Sequence, residues 1–471
     1  MGRQMQLSES ETAGRQSLGS LEPVVILVDN KVRDLNVAAL IAHHLERLGV
    51  ICHLEPLEAF RAVLGAYRPG MIVFNHLNAS HLADWSRRLA EIGVLTAVLP
   101  NEGLLYEPGA RPLLSGRFHA AHTDYFFCWN EVHQEALIAE GVDKVRRIEM
   151  VGVPRFDFYF EPWSRIVPAA PPRKSERPRI LFCTSFSFAR FLERRADADK
   201  LFGNWAKRNP AYVDYWGAIE SQGRSRQRVL NVLETLLDDG RFEILLRPHP
   251  NEDSSFYQSW LDGLSGARKE NILIDATSSI TSLILDCDLQ ISCETCTTAI
   301  ESWIAEKPTI ELIFDKHPKL YKEEHSLPNY ECNDFAELPD MIARHLAAPD
   351  QPEKRELRIR HLKKWCASPD GLSTFRIAEV VAEAIWRKRP ADWPKLNIND
   401  FRRALKLKAL RSIGHAYHFD PVLPIKRSLF RQRYAAKYRA YAKSIKPRDV
   451  ADARRRLGHF TIDAIGGAGQ S

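Results

Sequence analysis

Ordered patterning begins at Val24–Val28, a continuous apolar run with β-branched residues, as a strand buried on both faces of a sheet requires. Apolar residues at helical spacing follow from Leu35 to Leu48, and Gly49 stands where a helix C-terminus favours glycine. The alternation repeats through Val50–Leu54, a helical stretch, Met71–Phe74, a helix through Trp85, and Val94–Leu99. Tyr125–Trp129 and Met150–Val153 read as two further strands. Strands separated by helix-length segments predict βαβ units and a parallel sheet. Between 162 and 178 the periodicity stops, and prolines (Pro162, Pro168, Pro171, Pro172, Pro178) mix with basic residues. Such composition marks a domain boundary.

The pattern then restarts. Strands are predicted at Arg179–Thr184, Phe242–Leu246, Asn271–Ile274, Leu289–Ser292 and Thr309–Ile313, with an amphipathic helix over Arg226–Leu237. Arg190–Trp216 is a charged, aromatic-bearing insertion without clear period. The chain therefore divides into a disordered leader (1–20), a first α/β domain (21–161), a Pro-rich linker (162–178), a second α/β domain (179–390) and a basic helical tail (391–471). Two doubly wound sheets in series create a cleft, and ligands bind such sheets beyond the carboxyl ends of their strands.

Length and composition narrow the classes. At 471 residues, 45% hydrophobic and 27% charged, the chain is globular and too long for one core. No apolar run reaches bilayer length, and the polar first twenty residues do not read as a secretory signal. Eight scattered cysteines suit a reducing compartment, and the lone Cys293–Cys296 pair lacks the second pair of a zinc site. Charge is uneven: residues 401–460 hold 17 Lys or Arg against 3 Asp or Glu, although the whole chain carries only +6. Those basic residues alternate with Leu405, Leu407, Leu410, Phe430, Tyr434, Tyr438 and Tyr441. That pattern predicts docking on an anionic membrane surface, with nucleic acid as the rival partner and packing on the body as the plain alternative.

Three motifs lie just after predicted strands. Asn101-Glu102-Gly103 offers a carboxylate at a strand end beside a glycine that permits close approach, suiting Glu102 as a general base; the alternative is a surface turn. Arg247-Pro248-His249-Pro250 fixes a cation and an imidazole on a rigid backbone, where Arg247 would bind phosphate and His249 would assist a leaving group. Ser292 to Thr298 opens a helix with an excess of hydroxyls, predicting a phosphate site made by Ser292, Thr297, Thr298 and the helix amides, with helix capping as the alternative. Glu301, one turn inside, would meet a ribose. Walker, GxGxxG and HExxH motifs are absent.

Asn101-Glu102-Gly103, His249-Pro250 and Thr297-Thr298 together resemble the acidic-Gly, HP and Ser/Thr motifs of bacterial sialyltransferases and capsular Kdo transferases. Ser292…Glu301…Lys307-Pro308 is similar to the nucleotide-binding helix of GT-B enzymes, and Val151–Asp157 is similar to a Gly-x-Pro-Arg-x-Asp segment of surface carbohydrate biosynthesis proteins. The resemblance spans roughly 24–373. It implies two Rossmann-like domains in the GT-B arrangement, acceptor first and donor second. The implied activity is inverting, metal-independent transfer of a CMP-activated acidic sugar to a glycan or lipid-linked acceptor, without a separate cofactor, in the cytoplasm or at the inner membrane. In that family the acidic motif has two carboxyls; here the first is Asn101, leaving Glu102 as base, with Asp29 or Glu107 as substitutes. A CDP-glycerol-type polyol-phosphate transferase, a UDP-sugar epimerase of the same architecture, and a non-catalytic membrane or nucleic-acid module are the alternatives.

Overall fold

The computed structural model describes residues 21–104, 106, 120–144, 146–207, 213–348, 350–393, 397–430, 434, 437, 438, 441 and 443–458. The predicted leader and Glu107 lie outside these residues. Two six-stranded sheets form the framework, and every strand pairing in both is parallel. The first sheet contains β1 (Val24–Val28), β2 (Cys52–Pro56), β3 (Met71–Phe74), β4 (Leu95–Val98), β5 (Tyr125–Cys128) and β6 (Arg147–Met150), in the order β2-β1-β3-β4-β5-β6. The second contains β7 (Arg179–Cys183), β8 (Glu243–Arg247), β9 (Ile272–Ile274), β10 (Leu289–Cys293), β11 (Thr309–Leu312) and β12 (Tyr330–Cys332), in the order β12-β11-β10-β7-β8-β9. Both orders reverse direction once, between β1 and β3 and between β7 and β10. At such a switch point the flanking loops diverge and leave a crevice at the carboxyl ends. The two Rossmann-like domains expected from the hydrophobic pattern are therefore present, with their crevices facing one cleft.

Alternate residues of β1 enter opposite cores, as a strand covered on both faces must arrange. Val24, Ile26 and Val28 pack with the Lys31–Arg47 helix, while Val25 and Leu27 pack with Val63, Leu82 and Trp85. In the second sheet Ile180, Phe182, Ile244 and Leu246 face the long Tyr215–Asp239 helix. The opposite face, with Leu181 and Leu245, meets Trp129, Val153, Phe156 and Tyr159 of the first domain. One hydrophobic core is thus shared between the domains.

The structure redraws several boundaries. The strand expected at 150–153 lies at Arg147–Met150, a largely polar edge strand that alternation cannot reveal. The insertion after 190 contains the Arg195–Ala206 helix, and its Phe202 packs with Phe191, Ala198 and Ile219 in a small core of their own. The Ser373–Arg387 helix, placed by sequence in the second domain, crosses back to the first, where Ile377, Val381 and Ile385 join the core around Leu40 and Ile41. Its amphipathic face has no partner on the second sheet, and the Lys31–Arg47 helix supplies one.

The tail also packs on the first domain. Leu407 of the Ile398–Ser412 helix enters one core and Val450, Ala453 and Leu457 of the Pro447–Leu457 helix enter the other. Edge strand β2 would otherwise present unpaired carbonyls, an invitation to pairing with other chains. Arg411 donates to Leu54 O at 3.3 Å and Arg454 to Cys52 O at 2.7 Å, so two tail arginines close that edge. No helix among the described residues is long and apolar enough to cross a membrane.

Asp157 accepts from Ser373 N at 3.1 Å and from Thr374 N and Oγ1 at 2.7 Å each, capping the returning helix. Asp157→Ala leaves those buried donors without an acceptor and is expected to cost about 2 kcal/mol or more. Urea unfolding measures this, and a loss below half a kilocalorie would show that the cap is not what fixes the helix.

Candidate functional site

The loop after β4 carries the predicted base. Asn75 Nδ2 donates to Asn101 Oδ1 at 2.9 Å on one side of it, and Asn130 Nδ2 donates to Gly103 O at 3.2 Å and to Trp365 O at 2.7 Å on the other. Gly103 lies so close to Trp129 that an added Cβ would stand 2.8 Å from the indole ring. Both neighbours of Glu102 are therefore held, while Glu102 itself is exposed to the cleft. Behind this loop a small cavity opens at the β1/β3 switch point, lined by Val28, Arg33, Asp34, Asn101, Trp129 and Arg155 among others. Asp29, the substitute base, is paired with Arg33 at 3.0 Å.

Tyr106 fixes the far end of the loop. Its ring packs edge-on to Trp365 with centroids 4.6 Å apart, and its hydroxyl lies 3.0 Å from His325 Nδ1 and 3.1 Å from His361 Nε2. His325 Nε2 faces Cys296 O at 3.0 Å and His361 Nδ1 faces Glu324 O at 3.2 Å, so each neutral ring donates its proton to a carbonyl. Burial holds both histidines well below their ordinary value, to about 3 and about 4. Tyr106 thus meets two acceptors with a single proton and serves one at a time. A residue of the first domain is in this way plugged into the second.

Across the cleft, β8 ends at Arg247 and the chain turns at Pro248. His249 Nδ1 accepts from Asn251 N at 3.1 Å, which leaves the proton of the neutral ring on Nε2. Burial pushes the His249 pKa down from its ordinary 6.5, opposed by the Glu102 carboxylate and assisted by Arg190 and Arg247. The same carboxylate also acts on Glu301. Glu102 and His249, 147 residues apart in sequence, therefore share one electrostatic environment. Glu252 makes the turn rigid: its Oε1 accepts from Thr184 Oγ1 at 2.7 Å, Phe186 N at 2.9 Å and His249 N at 3.2 Å, and its Oε2 accepts from Tyr257 OH at 2.6 Å.

Arg247 does not share the direction of His249. Its guanidinium is buried and donates to Asp275 O at 2.9 Å, with Asp275 Oδ1 at 3.8 Å. The expected alternation of Arg247 and His249 toward one ligand fails because the strand stops at Arg247 and the next residues turn. Glu301 is likewise committed: Tyr159 OH donates to it at 2.6 Å and Arg155 Nε lies 3.6 Å away, both from the first domain. It is buried and does not face open space where a ribose could sit.

The loop after β10 also departs from the expectation. Ser292 is fully enclosed within its strand, and Thr298 turns inward, accepting from Gln290 Nε2 at 3.2 Å and contacting Cys296 Sγ at 3.1 Å. Thr297 begins the Thr298–Ile304 helix and is half-buried. Instead, Glu294 and Thr295 both adopt the left-handed region, with φ of 53° and 58°. Non-glycine residues rarely hold that conformation unless their surroundings impose it. Thr295 N donates to Glu311 Oε1 at 2.8 Å and Lys322 N donates to Thr295 Oγ1 at 3.0 Å, which imposes it here. The Glu294 side chain is buried with neither carboxylate oxygen completing a hydrogen bond. Burial raises its pKa from 4.5 to about 7, against opposing effects of nearby Ser225 and Gln222 and with help from Asp315 and Glu252. Tyr106 was not singled out by sequence, and Glu294 and Arg155 entered only as members of motifs without a role of their own, since each depends on a partner more than 65 residues away.

No family model matches the sequence, and no curated protein matches it. Among solved structures, a putative UDP-N-acetylglucosamine 2-epimerase from Listeria monocytogenes is similar at 13% identity, covering 79% of this chain and 100% of that one with a TM-score of 0.48. The wall teichoic acid polymerase TagF is similar at 13% identity over 78% of this chain and 89% of that one, TM-score 0.46. MnaA of S. aureus, solved with UDP, is similar at 11% identity over 79% of this chain and 100% of that one, TM-score 0.47.

Glu294 makes stability pH-dependent. Its folded pKa is about 7 and its ordinary value 4.5, so the folded chain holds this proton more tightly than the unfolded chain. This contribution is present below the ordinary value, is lost as pH rises toward 7, and levels off above. Glu294→Gln cannot ionise and is expected to gain about 3 kcal/mol on the parent between acid and mildly alkaline pH, measured by urea unfolding at both. An equal gap at the two pH values would contradict the burial argument. Tyr106→Phe keeps the ring and removes the shared proton, at an expected cost of about 1–2 kcal/mol in the same assay.

Proposed function

We propose that this protein is an inverting glycosyltransferase that uses a nucleotide-activated sugar, with the donor in the second domain and the acceptor in the first. The observation that carries the reading is that Glu102 and His249 each stand on a pinned turn at the carboxyl end of its sheet, with the Glu102 carboxylate acting electrostatically on the imidazole. Glu102 takes the proton from an acceptor hydroxyl as its oxygen attacks the anomeric carbon. The bond from that carbon to the phosphate oxygen breaks on the opposite face, and negative charge grows on the departing nucleotide. His249, neutral and carrying its proton on Nε2, donates to that phosphate. A preorganised donor of this kind lowers the barrier by about 3 kcal/mol.

The donor proposed from the motif resemblance is a CMP-activated acidic sugar, and the acceptor a glycan or lipid-linked glycan in surface polysaccharide synthesis. The proposed route uses hydrogen-bond donors rather than a metal to stabilise the departing phosphate. All eight cysteines are free and buried, which supports a cytoplasmic setting.

Thermal stabilisation by CMP, CDP, UDP and GDP tests the reading. A nucleotide at one hundred times its Kd is expected to add about 2.7 kcal/mol, seen as a rise in Tm. Preference for CMP supports the acidic-sugar donor, CDP a polyol-phosphate donor and UDP a different sugar; silence from all four ends the proposal. Glu102→Gln should preserve that stabilisation while lowering kcat by about a hundredfold or more, and His249→Ala should weaken both. Full turnover in Glu102→Gln would remove it as the base.

A further inference from the structure

The tail does two separate things. Its inner residues, Ala404, Leu407, Leu423, Val450, Ala453 and Leu457, are buried against the body. Its outer residues do not follow from that packing. Ile398, Phe401 and Leu405 form one stripe on the Ile398–Ser412 helix, on the side away from Ala404 and Leu407. Ile413, then Ile425, Leu429 and Phe430 on and beside the Leu423–Leu429 helix, continue the outward set, and each of these seven side chains is more than half exposed. A helix that is apolar on both sides has one side still in want of a partner.

The charge on this surface has one sign. Between 398 and 430 there are seven Lys or Arg and two acids. Both acids are drawn inward: Asp400 is buried and pairs with Arg88 at 3.2 Å and Arg403 at 3.1 Å, while Asp420 pairs with Lys426 at 3.4 Å and Lys437 at 3.0 Å. Arg402 and Lys408 are left on the exposed side, flanking the exposed apolar residues, while the Lys406 ammonium lies over the Tyr417 ring at 4.7 Å. A partner must therefore be anionic at its surface and apolar just beneath it.

We propose that residues 398–430 form a docking surface for an anionic lipid bilayer, with Ile398, Phe401, Leu405, Ile425, Leu429 and Phe430 entering the acyl boundary and the basic side chains resting among the headgroups. Interfacial helices combine these two contributions. Nucleic acid fits less well, because single strands stack their bases on aromatic rings, whereas five of the seven exposed side chains are aliphatic. The Pro447–Leu457 helix, which the sequence grouped with the rest of the basic tail, takes no part, its apolar residues being spent on the first core.

Flotation of the full chain with phosphatidylcholine vesicles, with and without phosphatidylglycerol, tests the proposal. Binding is expected only with the anionic lipid, and it should weaken as salt rises. The double variant Leu405→Glu, Leu429→Glu should bind at least about tenfold more weakly at unchanged Tm and unchanged nucleotide stabilisation. Equal binding to both vesicles, full binding by the variant, or displacement of vesicles by single-stranded DNA would overturn it. Should that variant not fold, Leu429→Cys carrying an environment-sensitive dye gives a second readout, since the eight native cysteines are buried. A blue shift on phosphatidylglycerol vesicles is expected, and no shift would also overturn the proposal. Nucleotide stabilisation is read separately, so the membrane surface and the transferase reading stand or fall independently.

Discussion

Everything at the cleft depends on how the segment after β6 ties the two domains together. Within eight residues, Arg155 and Tyr159 reach Glu301 of the second domain, Asp157 caps the helix that returns to the first, and Phe156 enters the shared core. Gly152 makes this possible: at φ of 87°, an added Cβ would stand 2.7 Å from Ser373 Oγ. Burying Glu301 would be costly for an isolated carboxylate, and the cost is offset by the guanidinium and phenol aimed at it. Arg155 and Glu301 are thereby committed to each other across the two domains rather than turned to the open cleft.

The strands were legible because a doubly covered parallel sheet demands unbroken apolar runs, and Val24–Val28, Met71–Phe74 and Leu289–Cys293 supply them. Strand β6 was placed three residues late, at 150–153, since an edge strand with Arg147 and Glu149 carries no such run. The placement of Glu102 and His249 just after strands was legible, and the structure puts them in the loops that follow β4 and β8. Orientation was not legible. Arg247 and Thr298 face inward because of Asp275 and Gln290, and nothing local to either motif announces those partners. The strained pair Glu294–Thr295 carries no glycine to mark it, and its conformation comes from Glu311 and Lys322.

The tail shows how one composition can hold two meanings. Seventeen basic residues across 401–460 suggested a single basic face. In three dimensions Arg411 and Arg454 turn inward to close the β2 edge and Lys406 lies over the Tyr417 ring, while Arg402 and Lys408 remain outside. Net charge therefore overstates what the surface offers to a partner, and the exposed subset is the quantity that matters.

The return of 373–457 onto the first domain also has a consequence for synthesis on the ribosome. Residues 21–161 emerge first, yet one face of their sheet waits for Ile377, Val381 and Leu457, and the other for Leu407 and Tyr417. The second sheet and its own helices, encoded between 179 and 366, need little that comes later. The domain made first is thus the one completed last. During elongation its half-covered sheet and open β2 edge are exposed for as long as translation of some three hundred further residues takes, which at ordinary speeds is on the order of tens of seconds. The first domain's two cores close only once residues 373–457 have emerged.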